Sequence, residues 1–261
     1  MGDIKEKYNK VDGKKTKKNN LRKSILISII SIIFLITLGC IIWTSKAYKP
    51  QELAQVSLKS DENITVENND YITFTPVNIK TTKGFIFYPG GGVKPEAYAP
   101  LCREIASQGY KVIIAKMPLN LAVFSPNKAD EIIKLNGDIK TWAIGGHSLG
   151  GVMASKYASS NDKIKGVALY ASYPSGDELK NKTIEVVSIF GNRDGVVNKD
   201  NLKESENNLP DNAGFVEIEG GNHSQFGAYG LQKGDNKATI SEKEQISSTV
   251  DYTVQLLDKI N

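Results

Sequence analysis

Thr141-Trp142-Ala143-Ile144-Gly145-Gly146-His147-Ser148-Leu149-Gly150-Gly151 decides how this chain folds. An apolar run, TWAI, leads into G-x-S-x-G at residues 146–150, and a helix-forming run over Leu149 to Ser159 follows. A strand that turns this tightly into a helix holds its serine in a strained conformation and leaves space only for small residues two before and two after it. The turn lifts Ser148 Oγ above the end of a sheet. It also sets Leu149 N–H at a helix N-terminus, where developing negative charge is favoured.

The flanking sequence has the matching period. Tyr71 to Val77, Gly84 to Tyr88, Lys111 to Lys116, Ile164 to Tyr170, Glu185 to Phe190 and Phe215 to Ile218 read as strands. Glu96 to Gln108, Lys128 to Leu135, Lys199 to Asn208 and Ser241 to Lys259 read as helices, the last opened by a capping box at Ser241 to Glu244. The runs KVIIAK, GVALY and EVVSIF are apolar throughout, as in strands buried on both faces. The expected fold is therefore α/β, a mostly parallel central sheet with helices on both faces.

A serine nucleophile requires a base, and the chain has two histidines. His147 is locked in the turn beside Ser148, which suits packing or hydrogen bonding. His223 follows the strand FVEIE and Gly220-Gly221, at the sheet edge where Ser148 sits. The orienting carboxylate is expected at Asp194, directly after EVVSIF, with Asp177 and Asp235 as rivals. The order Ser148, Asp194, His223, with separations of 46 and 29 residues, leaves one or two sheet units in each gap. The oxyanion hole is expected to combine Leu149 N–H with Gly91 N–H from the turn Pro89-Gly90-Gly91-Gly92, Gly92 being the alternative.

With these residues in place the chain resembles an alpha/beta hydrolase. More narrowly, it is similar to the small bacterial alpha/beta hydrolases of the fifth such domain family, near the dienelactone-hydrolase-like proteins. The resemblance lies in FIFYPGGGVKPEAYAPL, AKMPLNLAVF, WAIGGHSLGG, LYASYP, IFGNRDG and GGNHSQFGAYGLQKGDNKATIS, across residues 71–257. It implies Ser148 as nucleophile, Asp194 as acid, His223 as base, and Leu149 with Gly91 as oxyanion donors. Only about a dozen residues separate Ala171 from Ile184, too few for a large lid domain. The loops Met117 to Phe124, Tyr173 to Asp177 and Gln225 to Gln232 would then wall the site. Leu119, Leu121 and Phe124 are candidates for an apolar acyl pocket, with plain packing onto the core as the rival reading.

The N-terminus is of another kind. Residues 1–24 carry eight lysines and Arg22 against Asp3, Glu6 and Asp12, whereas residues 45–261 sum to −2. The basic excess belongs to the tail, so a nucleic-acid surface on the domain is not expected. Ser24 to Ser45 has no charged residue, long enough to cross a hydrocarbon layer of ~30 Å. The expected organisation is a cytoplasmic tail (1–24), a transmembrane helix (25–44), a linker or frayed first strand (45–69) and an extracytoplasmic catalytic domain (70–261) in a single-pass membrane protein. Processing as a lipoprotein at Cys40, or as a cleaved signal, are the alternatives.

Cys40 and Cys102 form no disulfide framework, and two histidines make no Cys/His metal cluster. With no P-loop and no dinucleotide fingerprint, neither cofactor nor metal is expected. The expected activity is hydrolysis of a small-molecule or lipid-like carboxylic ester through an acyl-enzyme. An acyltransferase on envelope acceptors and a non-catalytic anchored binding protein are the competing readings, and oligomeric state is left open.

Overall fold

A computed structural model describes residues 28–260. The chain divides into two units, Met1–Lys46 and Ala47–Asn261. In the first, helix α1 covers Ser28–Ser45, long and apolar enough to cross a membrane, with no part of it buried. The basic tail expected at 1–24, and the first residues of the span expected at 25–44, lie outside the described residues.

The second unit runs α2 (Glu52–Ser57), β1 (Ile64–Asn68), β2 (Tyr71–Pro76), β3 (Lys83–Tyr88), α3 (Ala99–Ser107), β4 (Lys111–Ala115), α4 (Lys128–Leu135), β5 (Thr141–His147), α5 (Leu149–Ser159), β6 (Ile164–Tyr170), β7 (Glu185–Gly191), α6 (Lys199–Glu204), β8 (Gly214–Ile218) and α7 (Glu242–Lys259). One eight-stranded sheet is ordered β1-β2-β4-β3-β5-β6-β7-β8. β1 and β2 pair antiparallel, β2 pairs antiparallel to β4, and all remaining neighbours are parallel.

The period-two geometry of strands explains why both faces are buried. Phe85 and Phe87 face a core with α3 and α7, where Leu101, Ile105, Val250 and Leu257 pack. Ile86 and Tyr88 face the opposite core with α4 and α5, with Trp142, Ile144 and Ile132. All the parallel strands end at one edge, so the loops that follow β3, β4, β5, β7 and β8 gather there.

Of the two readings of residues 45–69, linker or first strand, the second is observed in part: Glu52–Ser57 form α2 and Ile64–Asn68 the edge strand β1. Arg103 of α3 secures them, donating to Ser57 O and Lys59 O and pairing with Asp61. Ahead of α2, Tyr48 N–H donates to Gly92 O, and Lys94 N–H donates back to Tyr48 O. β5 also runs beyond Ile144 to His147. Its glycines are true strand residues, because a Cβ on Gly145 would sit 2.5 Å from Phe85 Cζ and 2.7 Å from Ala168 O.

Candidate active site

Ser148 lies between β5 and α5 at φ 52, ψ −124, a left-handed conformation that costs a non-glycine residue about 1–3 kcal/mol. Neighbouring bonds hold it there. Ser148 N–H donates to Tyr170 O at 2.9 Å, and Ser172 Oγ donates to Ser148 O at 2.7 Å. The flanking glycines are required sterically. A Cβ on Gly146 would meet Gly150 C at 2.5 Å, and one on Gly150 would meet Tyr88 O at 2.1 Å.

His223 and Asp194 come together at the same edge, in the loops after β8 and β7. His223 Nδ1 lies 2.8 Å from Asp194 Oδ2, with the residues 1% and 2% exposed. A carboxylate only accepts, so Nδ1 carries the proton and Nε2 presents a lone pair, the tautomer a base needs. Asp194 Oδ1 accepts from Val196 N–H at 2.7 Å and Val197 N–H at 2.8 Å, which fixes the carboxylate plane. His223 Nε2 is buried and has no hydrogen-bond partner among the described residues, so the Ser148–His223 bond is not made.

The rival carboxylates have other places. Asp177 is exposed in the loop after β6. Asp235 holds the backbone around the pair. Its Oδ2 accepts from Ser224 N–H at 2.8 Å and Ser224 Oγ at 2.6 Å, and its Oδ1 accepts from Gly195 N–H at 3.0 Å. Buried Gln245 of α7 completes the support, accepting from Asn222 N–H at 2.9 Å and donating to Asn222 O at 2.8 Å.

Gly91 and Leu149 are neighbours: a Cβ on Gly91 would sit 3.1 Å from Leu149 Cδ2 and 3.3 Å from Leu121 Cδ2. Gly90 N–H donates to Tyr98 Oη at 3.0 Å and Gly92 N–H donates to Asn120 O at 2.9 Å. Gly91 N–H, between them, donates to no group among the described residues. Leu149 is the first residue of α5, where a backbone N–H has no intrahelical acceptor. Neither expected donor N–H is engaged among the described residues, and the two residues pack side by side.

Of the expected acyl-pocket residues, half-buried Leu121 packs beside Gly91. Leu119 is in the same loop with φ 54, and Phe124 is 58% exposed at its far end. The loop Ser172 to Ile184 contains no helix or strand. His147 takes the expected hydrogen-bonding role. Its Nδ1 lies 2.9 Å from Tyr98 Oη, and its ring centroid lies 4.4 Å from that of His223. Burial, followed by the charge of His223, holds the His147 imidazole well below its ordinary value, so it stays neutral. Tyr98, Ser172 and Gln245 carry no sequence signal, because each acts through a tertiary contact.

The eight-stranded, mostly parallel sheet with helices on both faces defines a protein built like an alpha/beta hydrolase. The Alpha/beta hydrolase family model matches residues 84–247, more than half of the chain, and the chain belongs to that family. None of the curated proteins matches it. Among solved structures it is similar in fold to a predicted CIB-like hydrolase from Thermoplasma acidophilum (TM-score 0.58, 15% identity, covering 74% of this chain and 100% of that one). It is likewise similar to Est1E from Butyrivibrio proteoclasticus with ferulic acid bound (TM-score 0.58, 12% identity, 77% and 98% covered).

Proposed function

We propose that this chain is a serine hydrolase of carboxylic esters, of the dienelactone-hydrolase-like kind, held at the membrane by α1 with its catalytic unit outside. The observation that carries the reading is the buried Nδ1–Oδ2 bond of 2.8 Å between His223 and Asp194, at the edge where the strained Ser148 also stands. Ser148 Oγ attacks the ester carbonyl and His223 Nε2 takes its proton. The C–O bond to the alcohol breaks, and His223 returns that proton to the leaving oxygen. Water, deprotonated by the same nitrogen, then attacks the acyl carbon; the bond to Ser148 Oγ breaks, the acid leaves and His223 returns the proton to Ser148 Oγ. Gly91 and Leu149 N–H groups hold the oxyanion, and Asp194 holds the imidazolium. Catalytic hydrogen bonds often tighten only when substrate binds, which accounts for an unmade Ser148–His223 bond. Leu119, Leu121 and Phe124 would meet the acyl group of a small-molecule or lipid-like ester.

The test is fluorophosphonate labelling of the full chain in detergent, with Ser148→Ala and His223→Ala beside it. Wild type alone should label, and Ser148→Ala should lose at least ~10³-fold in turnover of p-nitrophenyl esters. A folded wild type that takes no label would overturn the reading. Product analysis with an added alcohol separates hydrolysis from acyl transfer.

A further inference from the structure

We propose that Tyr98 and His147 are positioning residues that lock the Gly91 oxyanion donor and the His223 ring into one arrangement. The inference rests on the hydrolase reading and adds to it two residues outside the Ser148, Asp194, His223 set.

The link is a continuous chain of bonds. Gly90 N–H donates to Tyr98 Oη at 3.0 Å, and Tyr98 Oη lies 2.9 Å from His147 Nδ1. Nδ1 is the one acceptor that the Tyr98 O–H reaches among the described residues, so the hydroxyl donates to it and His147 carries its own proton on the buried, unpartnered Nε2. Tyr98 is fully buried, and burial pushes its phenol up, so the donor keeps its proton. The node has no slack: a Cβ on Gly90 would sit 2.7 Å from both His147 Nδ1 and Tyr98 Oη.

This node determines where the neighbouring peptide points. Tyr98 takes Gly90 N–H on one side and Asn120 O takes Gly92 N–H on the other. Pinned at both ends, the turn packs Gly91 against the Leu149 side chain and leaves Gly91 N–H without an acceptor among the described residues. The same imidazole that receives the Tyr98 bond lies against the base, with its ring centroid 4.4 Å from His223 and tilted by 53°. One side chain thus touches the base directly and reaches the oxyanion turn through a single hydroxyl. An error of about 1 Å in such a donor is enough to cost about 100-fold in rate.

The experiment uses the full chain in detergent, with p-nitrophenyl acetate as substrate and a trifluoromethyl ketone as the probe that forms an oxyanion on the serine. Tyr98→Phe removes only the hydroxyl. It should lower kcat by about 10- to 100-fold and weaken the ketone by a similar factor, with KM within about 2-fold. His147→Asn keeps an acceptor near the Nδ1 position and should retain more kcat than His147→Leu. Unchanged kcat and ketone affinity in a folded Tyr98→Phe would overturn the proposal. If Tyr98→Phe does not fold, the two His147 variants decide: a gap between them supports the link, and equal kcat values refute it. A wild type that neither labels with fluorophosphonate nor turns over ester fails the hydrolase reading instead, and this inference falls with it.

Discussion

His223 donates from Nδ1 to Asp194 Oδ2 across 2.8 Å although 29 residues separate them in the chain. The bond joins two loops, after β7 and after β8, that the parallel sheet delivers to one edge. Asp194 has no freedom to turn, because Val196 and Val197 N–H groups bind its other oxygen.

That arrangement makes Asp194→Asn a sharp variant. The amide oxygen can still accept from Val196 and Val197, so the loop keeps its shape. The amide nitrogen then faces His223 Nδ1 and donates to it, which moves the imidazole proton to Nε2. Such a base cannot accept the serine proton. The expected outcome is a folded protein with kcat lowered by ~10⁴-fold, read by circular dichroism alongside ester turnover.

The glycines of the site separate into structural and functional ones. On Gly150 a Cβ would sit 2.1 Å from Tyr88 O, a backbone atom that cannot move alone. On Gly91 it would sit 3.1 Å from Leu149 Cδ2 and 3.3 Å from Leu121 Cδ2, the ends of flexible side chains. Gly150→Ala should therefore destabilise the fold by more than ~3 kcal/mol in thermal unfolding. Gly91→Ala should stay folded and lose activity, because the added methyl enters the space beside the oxyanion donor.

His147 gives the fold a definite pH dependence. Its ring lies among Tyr98, Tyr229, Phe226 and His223, with the Asp194 carboxylate behind His223. The folded imidazole stays neutral well below 6.5, whereas the unfolded chain takes up a proton near that value. The stability associated with neutral His147 is full above pH 6.5 and is lost as pH falls below it. The slope is about 1.4 kcal/mol per pH unit while the folded imidazole stays neutral. Urea unfolding at pH 7.5, 6 and 5 should show that loss in wild type and a shallower one in His147→Asn. Parallel slopes would exclude His147 as the source.

Much of the arrangement could be read from residue order. GFIFY, KVIIA and IKGVALY are apolar enough to be strands buried on both faces, and Ser148, Asp194 and His223 each follow a strand end. β1 is hard to read because it lies at the sheet edge, where only Ile64 of its five residues is buried and the rest are partly or fully exposed. β5 reads short because Gly145 and Gly146 resemble a loop, and only the closeness of Phe85 and Ala168 shows why a strand needs them. Tyr98 is illegible for a different reason. Nothing local to PEAYAP indicates that its hydroxyl meets His147, which is 49 residues further on.

The segment before α2 sets one more expectation. Tyr48 exchanges backbone hydrogen bonds with Gly92 and Lys94, at the turn proposed to hold the oxyanion donor. Its hydroxyl accepts from Lys233 N–H at 2.9 Å, its ring lies 5.5 Å from Tyr229, and Gln51 N–H donates to Ala228 O at 2.8 Å. These residues therefore join the donor turn to the loop that follows His223. A chain beginning at Lys46 should keep wild-type fluorophosphonate reactivity. A chain beginning at Glu52 loses the four tertiary hydrogen bonds of Tyr48 and Gln51, at roughly 1 kcal/mol each, and should unfold about 4 kcal/mol more easily. It should also label more slowly, because Gly92 is then held by Asn120 alone. Equal stability and equal labelling of the two chains would show that residues 46–51 merely lie along the surface.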